Sequence, residues 1–586
     1  MKSPENISEK PHVKRGSKYL APPFRRGLAF IASALMLTVI QPPINWSFLA
    51  WVSFVPFILI CSPEAKPKRL AIIAYTVSLL YWLGNLYWVF PITVLGWAAF
   101  CFYTALLWPI LAFTIRYCRV KKIPLFLAVP VLVVGTERLQ GVFLGGFFWR
   151  FLAHSQFQNT TIIQIADIFG AAGVSFLIAM VNGLLAELIL DARRFKSIFK
   201  ISNLIKTGLV GIAVVATFVY GRWRIEQSDK FIETGPLVAS LQSNVPQSVK
   251  RTFQSGKEIF DELLLSSKAA AVTGAELIIW PETIVQATLN PDIWPFLSPT
   301  ENYEVFDKAL REHSRETAYV LVGSYGASIQ PESYWDISLV EHNSAFLYTP
   351  AGQQYNKRYD KIHLVMFGEY LPFRNTFRPL YNFLMKCTPY NYDYSLGAGS
   401  EYTIFEIASR QSAQPNNYKF GVIICYEDTI PAMARRFAMD EQGRKRIHWL
   451  VNISNDGWFV RFKDGKVLPS TELAQHAAVC AFRSVENRLA IVRSVNTGIS
   501  CLIDSLGRIH DGYISASADF PTEAMNRQGT AGWFADKMPI DKRVTFFSRH
   551  GQWLDFCCVV CLIVSIIVLV LAQSGRVRRL TIHSSR

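Results

Sequence analysis

An α-helical membrane bundle of about eight spans, carrying one large α/β domain with a layered sheet core, is the fold class that this sequence predicts. Three observations predict it. Eight apolar segments surround one long polar block. The basic flanks of those segments all fall on one face if each segment crosses a bilayer. The polar block itself alternates short apolar runs with longer periodic stretches.

A bilayer core takes about 20 apolar residues of helix. The segments that fit are 27–40, 46–61, 70–92, 94–116, 124–141, 171–190, 207–220 and 555–573, the first, second and seventh being short. Ahead of the first stand Lys2, Lys10, Lys14, Arg15, Lys18, Arg25 and Arg26. The later clusters are Lys66, Lys68 and Arg69; Arg116, Arg119, Lys121 and Lys122; Arg193, Arg194, Lys196, Lys200 and Lys206; and Arg576, Arg578, Arg579 and Arg586. Short basic loops stay cytoplasmic. The division that follows is a cytoplasmic tail at 1–26, a bundle at 27–221, an outward domain at 222–546, a final helix at 547–573 and a cytoplasmic tail at 574–586. The outward domain then faces the periplasm, if the cell has one. The first segment lacks a small-residue cleavage site and is followed by another span, so it reads as retained.

Composition agrees. The chain is 51% hydrophobic with a net charge of +16. Much of that charge sits in the basic loops and tails, where orientation and anionic lipid explain it. No zinc-finger spacing and no basic helix with interleaved aromatics accompanies it, so nucleic acid is not a partner. Cys558-Val-Val-Cys561 lies inside an apolar segment and reads as helix packing. Cys387, Cys425, Cys480 and Cys501 fall in the outer block, where an oxidising compartment would allow some to pair.

Within that block, runs at 237–242, 276–280, 318–323, 344–348, 420–425, 449–453, 490–494 and 500–504 fit buried strands. Stretches at 255–272, 304–316 and 471–488 fit helices. The polar stretch 411–418 reads as a surface loop between two strands. Catalytic residues are expected on turns at strand ends.

Three such turns carry chemistry. Trp280-Pro281-Glu282-Thr283 follows a strand, and the proline stiffens the turn that presents Glu282. Tyr359-Asp360-Lys361 leads into Phe367-Gly368-Glu369. Gly421-Val422-Ile423-Ile424-Cys425-Tyr426-Glu427 is an apolar strand ending in a thiol. A thiol beside a base and a cation is a nucleophile. A Glu takes its proton, and a Lys ammonium favours the thiolate and steadies the oxyanion of a tetrahedral intermediate. Each turn alone more often means a solvated carboxylate or a packed thiol; the ordered set of three is what points to catalysis.

That set resembles the carbon–nitrogen hydrolase (nitrilase) superfamily, and its placement between a helical bundle and a last span resembles the apolipoprotein N-acyltransferases. Leu241-Gln242-Ser243-Asn244-Val245-Pro246-Gln247, Asn452-Ile453-Ser454-Asn455-Asp456-Gly457-Trp458 and Asn496-Thr497-Gly498 extend the likeness along almost the whole chain. The resemblance implies a nitrilase-like αββα sandwich for the outer block. It implies Glu282 as general base, Lys361 as oxyanion-stabilising lysine and Cys425 as nucleophile. It implies Glu369 as an extra active-site glutamate, Tyr426 and Glu427 as pocket residues, and Trp458 as a residue near the substrate entrance. It further implies a bacterial inner-membrane enzyme, with phospholipid as acyl donor and a diacylglyceryl-cysteine lipoprotein as acceptor, and no cofactor. Met366 stands where the family often has proline, and Arg251 where some members have tryptophan, with Phe253 nearby. Two rivals are a membrane-tethered amidase or nitrilase that passes the acyl group to water, and a transporter or scaffold with an inactive outer domain. The fate of the acyl group when an amine is offered separates the first; few charges lie deep in the spans, which argues against the second.

The remaining conspicuous residues have simpler readings. Glu137-Arg138 reads as a local pair, and Asp167 as pinning a helix start. His342, His363, His448 and His476 share no metal spacing, so no metal site is expected. The aromatics of 145–150 suit the headgroup layer or the lining of a lipid entrance.

Overall fold

The computed structural model describes residues 23–192, 200–246, 253–297, 303–333, 336–386, 388, 392–409, 416–464, 466–515 and 520–583. Arg193, Arg194, Lys196, Arg251, Cys387, most of the 411–418 loop and the basic residues before Pro23 lie outside them.

Among the described residues, five helical stretches are long and apolar enough to cross a membrane: Val94–Val120, Leu125–Gly145, Ala171–Ala192, Ile201–Lys230 and Trp553–Leu571. The first and third expected segments are the helices Pro23–Val39 and Pro67–Asn85. The expected helix at 46–61 is a correction. It is a 3-10 turn, Ser47–Trp51, followed by a short helix, Val55–Ile60. Pro56 offers no N–H to carry a helix across the junction. The buried Asn182 amide closes the gap, accepting from the Phe54 N–H at 2.8 Å and donating to the Ala50 carbonyl at 2.9 Å. Backbone groups freed inside an apolar bundle need such a partner. The 94–116 segment likewise divides into Val94–Thr104 and Leu107–Val120. The 207–220 segment is the middle of a longer helix, Ile201–Glu226. Gly135 lets the last helix approach closely: a Cβ there would meet the Cys558 carbonyl at 2.7 Å.

The two ends of the bundle differ in chemistry. At one end, Arg116 donates to the carbonyls of Pro63 and Ala65 at 2.7 and 3.1 Å, and Arg119 to those of Ile58 and Leu59. Two of the basic loops are therefore clasped together. The helix Leu125–Val142 starts at that end and finishes at the other, where the 143–156 segment meets the α/β domain.

That domain is a sandwich of two sheets. In the eight-stranded sheet, Ile232–Gln242, Leu277–Ile279 and Tyr319–Ser333 run parallel, and Gly532–Asp541, Asp336–Thr349 and Gln353–Asp360 add antiparallel strands. In the six-stranded sheet, Asn417–Ile424, Trp449–Asn455 and Ala490–Asn496 run parallel. The alternation of strand side chains decides the layers. Leu277 and Ile279 share a core with Val422 and Ile424 of the other sheet. Ile278 and Trp280 point the other way, packing with Phe260, Phe306 and Leu310 of the helices Phe253–Ala271 and Tyr303–Glu316. Helices Pro431–Ala438 and Thr471–Asn487 cover the second sheet. This is the expected αββα order.

The helix Thr471–Asn487 is buried on every side. Ala474, Ala477 and Ala481 pack on the sheet, while Ala478, Phe482 and Val485 join the core of the bundle. An ionic junction surrounds it, and two of the simpler sequence readings are corrected there. Asp167 does not pin a helix start. Its Oδ2 accepts from Arg488 at 2.6 Å and Arg224 at 2.7 Å, and its Oδ1 from the Tyr220 hydroxyl at 2.8 Å. Glu137 and Arg138 are not a local pair. Glu137 accepts the Leu152 N–H at 2.7 Å, and Arg138 reaches Asp555 of the last helix at 3.5 Å. Helical spacing sends neighbouring residues in different directions, so adjacent opposite charges in a span find separate partners.

Candidate active site

The α/β domain brings the three expected turns together. Lys361 follows the strand Gln353–Asp360 and is 1% exposed. Its ammonium lies 2.8 Å from Glu369 Oε1 and 3.5 Å from Glu282 Oε1. Glu282 sits just beyond the strand Leu277–Ile279 and is buried. Cys425 ends the strand Asn417–Ile424, with its backbone in the left-handed region at φ 51°. A non-glycine residue held there is a strained position of the kind that marks functional sites.

The thiol is electrostatically coupled to both expected partners. Burial pushes the Cys425 thiol well above its ordinary value, Glu282 raises it further, and Lys361 offsets only part of this. A thiol raised in this way needs a proton acceptor for its activation. Burial alone would lower Lys361, but Glu369, Glu282 and Cys425 overcome it and hold the ammonium above its usual range. The cation is permanent across physiological pH.

Glu427 is fully buried and brackets the site. Oε1 accepts the N–H groups of Ile362 and His363 at 2.8 and 2.9 Å, and Oε2 accepts the Ile424 N–H at 2.7 Å and the Tyr359 hydroxyl at 2.8 Å. One carboxyl thus fastens the lysine loop to the cysteine turn. Both oxygens of Glu427 are thus occupied by protein donors. Burial raises it to about 7 despite those donors.

Tyr426 reaches out of the domain and donates to the Gly146 carbonyl at 2.9 Å, with His363 stacked on its ring at 6.0 Å. The segment 145–150 therefore lies under the active-site turn. Its Trp149 is buried, donating to Gln475 at 2.8 Å, so the expected headgroup-layer reading fails for this aromatic. Trp458 is on the 3-10 turn Asp456–Trp458 and is 39% exposed, and its neighbour Phe459 packs edge-on against Trp88 of the bundle.

Sequence spacing missed two groups. Asn343, in the strand Asp336–Thr349, donates to both Glu282 and Glu369. Its only signal is a polar residue just before an apolar run. Behind Cys425, Asp456, Glu472 and His476 offer metal-type donor atoms within 4.8 Å of one another. His476 bonds Asp428 at 2.8 Å through Nε2, and Arg493 pairs with Asp428 and lies 3.8 Å from Asp456. A guanidinium already supplies the positive charge there. The three donors come from a turn and the helix that follows it, Glu472 and His476 at i,i+4, and nothing in that spacing alone marks the Asp456 contact. Cys425, Cys480 and Cys501 are free thiols.

A layered α/β sandwich with a buried Glu, Lys and Cys at strand ends, seated on an apolar helical bundle, defines a membrane-anchored protein of the carbon–nitrogen hydrolase class. The carbon-nitrogen hydrolase profile matches residues 237–522, and the profile of the apolipoprotein N-acyltransferase N-terminal domain matches residues 33–184. The apolipoprotein N-acyltransferase of Geobacter metallireducens is 30% identical over 554 residues, covering 92% of this chain and 94% of its own. That of Chlorobaculum tepidum is 26% identical over 542 residues, covering 88% and 91%. A solved amidase from Nesterenkonia sp. is 14% identical over 53% of this chain and 94% of its own, with a TM-score of 0.33. This chain belongs to the apolipoprotein N-acyltransferase family.

Proposed function

We propose that this protein moves an acyl chain from a phospholipid to the N-terminal amine of a diacylglyceryl-cysteine lipoprotein, through a thioester on Cys425. Glu282 takes the thiol proton as sulfur attacks the ester carbonyl, and Lys361 steadies the oxyanion. The lysophospholipid leaves with the proton from Glu282. The amine then attacks the thioester, the new amide forms, and the thiolate regains a proton. The observation that carries this reading is the buried Lys361 ammonium, 2.8 Å from one carboxylate and 3.5 Å from a second, with the Cys425 thiol at the adjoining strand end. The Tyr426–Gly146 bond, which ties the cysteine turn to the bundle, supports this reading, since lipid chains can stay in the bilayer while the reacting groups reach its surface. Tyr426 and Trp458 are assigned to the approach of substrate, Glu369 to holding Lys361, and Glu427 to positioning.

In this reading the unit 222–546 faces the periplasm and both tails face the cytoplasm of an inner membrane. The basic loops at the far end of the bundle support that orientation. A cysteine introduced at the exposed Tyr513 is expected to react with a membrane-impermeant thiol reagent in intact spheroplasts. Reaction only after lysis would reverse the orientation. The activity is tested by incubating the purified protein with labelled phospholipid and a diacylglyceryl-cysteine peptide. An amide-linked third chain is expected; release of free fatty acid alone would make it a hydrolase.

A further inference from the structure

Two carboxylates share one ammonium in this site, and the sharing is unequal. Lys361 bonds Glu369 at 2.8 Å but stands 3.5 Å from Glu282, long for a hydrogen bond. A closer contact on the Glu282 carboxylate comes from Asn343. Its Nδ2 donates to Glu282 Oε1 at 2.6 Å and to Glu369 Oε1 at 3.0 Å. The residue is 2% exposed, and its Oδ1 is buried with no hydrogen-bond partner among the described residues. An amide buried at that cost to its own oxygen is there for its two N–H groups. Its backbone carbonyl also accepts the Lys361 N–H at 2.8 Å. Asn343 therefore touches all three members of the Glu282–Lys361–Glu369 cluster.

We infer that Asn343 is the positioning residue that keeps the Glu282–Glu369 pair ready to accept the thiol proton, by donating one amide hydrogen to each carboxylate. This rests on the acyl-transfer reading above. The charge count explains the need. Two neighbouring carboxylates served by one cation tend to trap a proton between them, because like charges disfavour the doubly ionised state. Hydrogen bonds to the charged form oppose this. Asn343 supplies two such bonds without adding charge. A second lysine would instead neutralise the pair and remove its basicity. The surrounding titratable groups are Lys361, Glu369 and His363 on the loop, Cys425 and Glu427 on the turn, and Asp456 and His476 behind the thiol. None of these offers a neutral N–H donor to both carboxylates.

The test is the pH profile of the acyl-enzyme burst with labelled phospholipid in full-length protein. Asn343→Leu keeps the approximate shape and removes both donors; Asn343→Asp differs little in size and replaces the donor with a third carboxylate. In each variant the acidic limb is expected to move upward by ~1–2 pH units, the equivalent of losing a charge-assisted hydrogen bond. At pH values below the limb that is a ~10–100-fold slower burst, recovering in Asn343→Leu as pH is raised. Phospholipid binding is expected to be retained. A merely structural role predicts the same loss at every pH. An unmoved acidic limb in either inserted variant overturns the proposal, and Asn343→Asp carries the test if Asn343→Leu fails to insert. Absence of any burst in the unaltered protein would instead overturn the acyl-enzyme reading itself, and Asn343's role with it.

Discussion

The junction between bundle and domain and the active site are built from the same materials in opposite proportion. At the junction, one carboxylate, Asp167, holds two guanidiniums, Arg488 and Arg224. At the site, one ammonium, Lys361, is shared by two carboxylates, Glu282 and Glu369. Both are buried. In the first, both oxygens of Asp167 are engaged by three donors, Tyr220 and Arg224 on the helix Ile201–Glu226 and Arg488 at the end of Thr471–Asn487, so the group is a fastening. In the second, two carboxylates face one cation beside a thiol, the arrangement that the proposed proton transfer requires. Under the proposed mechanism, what separates a lock from a base is the count of charges, not their burial.

The largest effects test the site. Cys425→Ala is expected to abolish the acyl-enzyme, whereas Cys387→Ala leaves it; mass spectrometry of protein trapped with phospholipid reads the position of the acyl group. An acyl group on Cys387 would break the assignment. Glu282→Gln keeps shape and removes the proton acceptor, and the burst is expected to fall ~10²–10⁴-fold. Lys361→Met is expected to cost about 3–4 kcal/mol of transition-state stabilisation, by analogy with loss of an oxyanion donor. Phospholipid binding, measured separately, is expected to survive in each.

Next comes the junction. Asp167→Asn removes the charge between two buried guanidiniums, and breaking a buried pair from one side costs about 3–5 kcal/mol. The expected readout is a lower melting temperature in detergent, with residual activity per folded molecule preserved. A variant that melts normally but cannot form the acyl-enzyme would erase the distinction drawn above.

The sequence made the site legible and the junction almost invisible, for a physical reason. Glu282, Lys361 and Cys425 each sit on a turn at a strand end, where a proline, a loop and an apolar run mark the position locally. Asp167, Arg224 and Arg488 have no such local mark, because their meaning lies in contacts between elements 57 and 321 residues apart. The layered core was legible from runs such as Leu277–Ile279 and the buried 420–424 part of Asn417–Ile424, apolar on both faces because each faces a sheet on one side and a helix on the other. Gln353–Asp360, which delivers Lys361, was missed as a strand: its Gln-Gln-Tyr-Asn-Lys-Arg pattern is that of a partly exposed edge. The break at Ser53 was hidden as well, since only the distant Asn182 makes it tolerable.

A smaller effect sharpens the comparison by pH. Glu486, on the helix between sheet and bundle, is raised from 4.5 to about 7 by burial, which Arg483 and the Ala171 N–H only partly offset. A carboxyl raised in this way binds its proton more tightly when folded. Its contribution to stability is fully present below about pH 4.5 and is lost as pH rises toward 7. Glu486→Gln mimics the protonated form, so the variant is expected to lack that group's share of the decline, up to about 3 kcal/mol. Melting curves from pH 5 to 8 read the difference in slope. Parallel slopes for the two proteins would mean that Glu486 is ionised throughout.

The smallest effect belongs to a pair that looks just as good in distance. Lys257 and Asp261 form an i,i+4 pair at 2.6 Å on the helix Phe253–Ala271, the same separation as Arg488 from Asp167. Their side chains, however, are about half exposed, against 0% and 2% at the junction. In water the Coulomb gain is screened, and holding two long side chains in one geometry costs entropy. Neither charge was desolvated to make the contact, so removing one leaves nothing stranded. Lys257→Gln is therefore expected to change stability by less than ~0.5 kcal/mol, and to leave the acyl-enzyme burst unchanged. Raising salt to 1 M is expected to abolish even that difference, because the screening length then falls to about 3 Å, while the Asp167→Asn deficit persists. A Lys257→Gln loss as large as that of Asp167→Asn, measured in the same detergent and salt, would show that distance rather than burial and charge count sets the strength of these contacts.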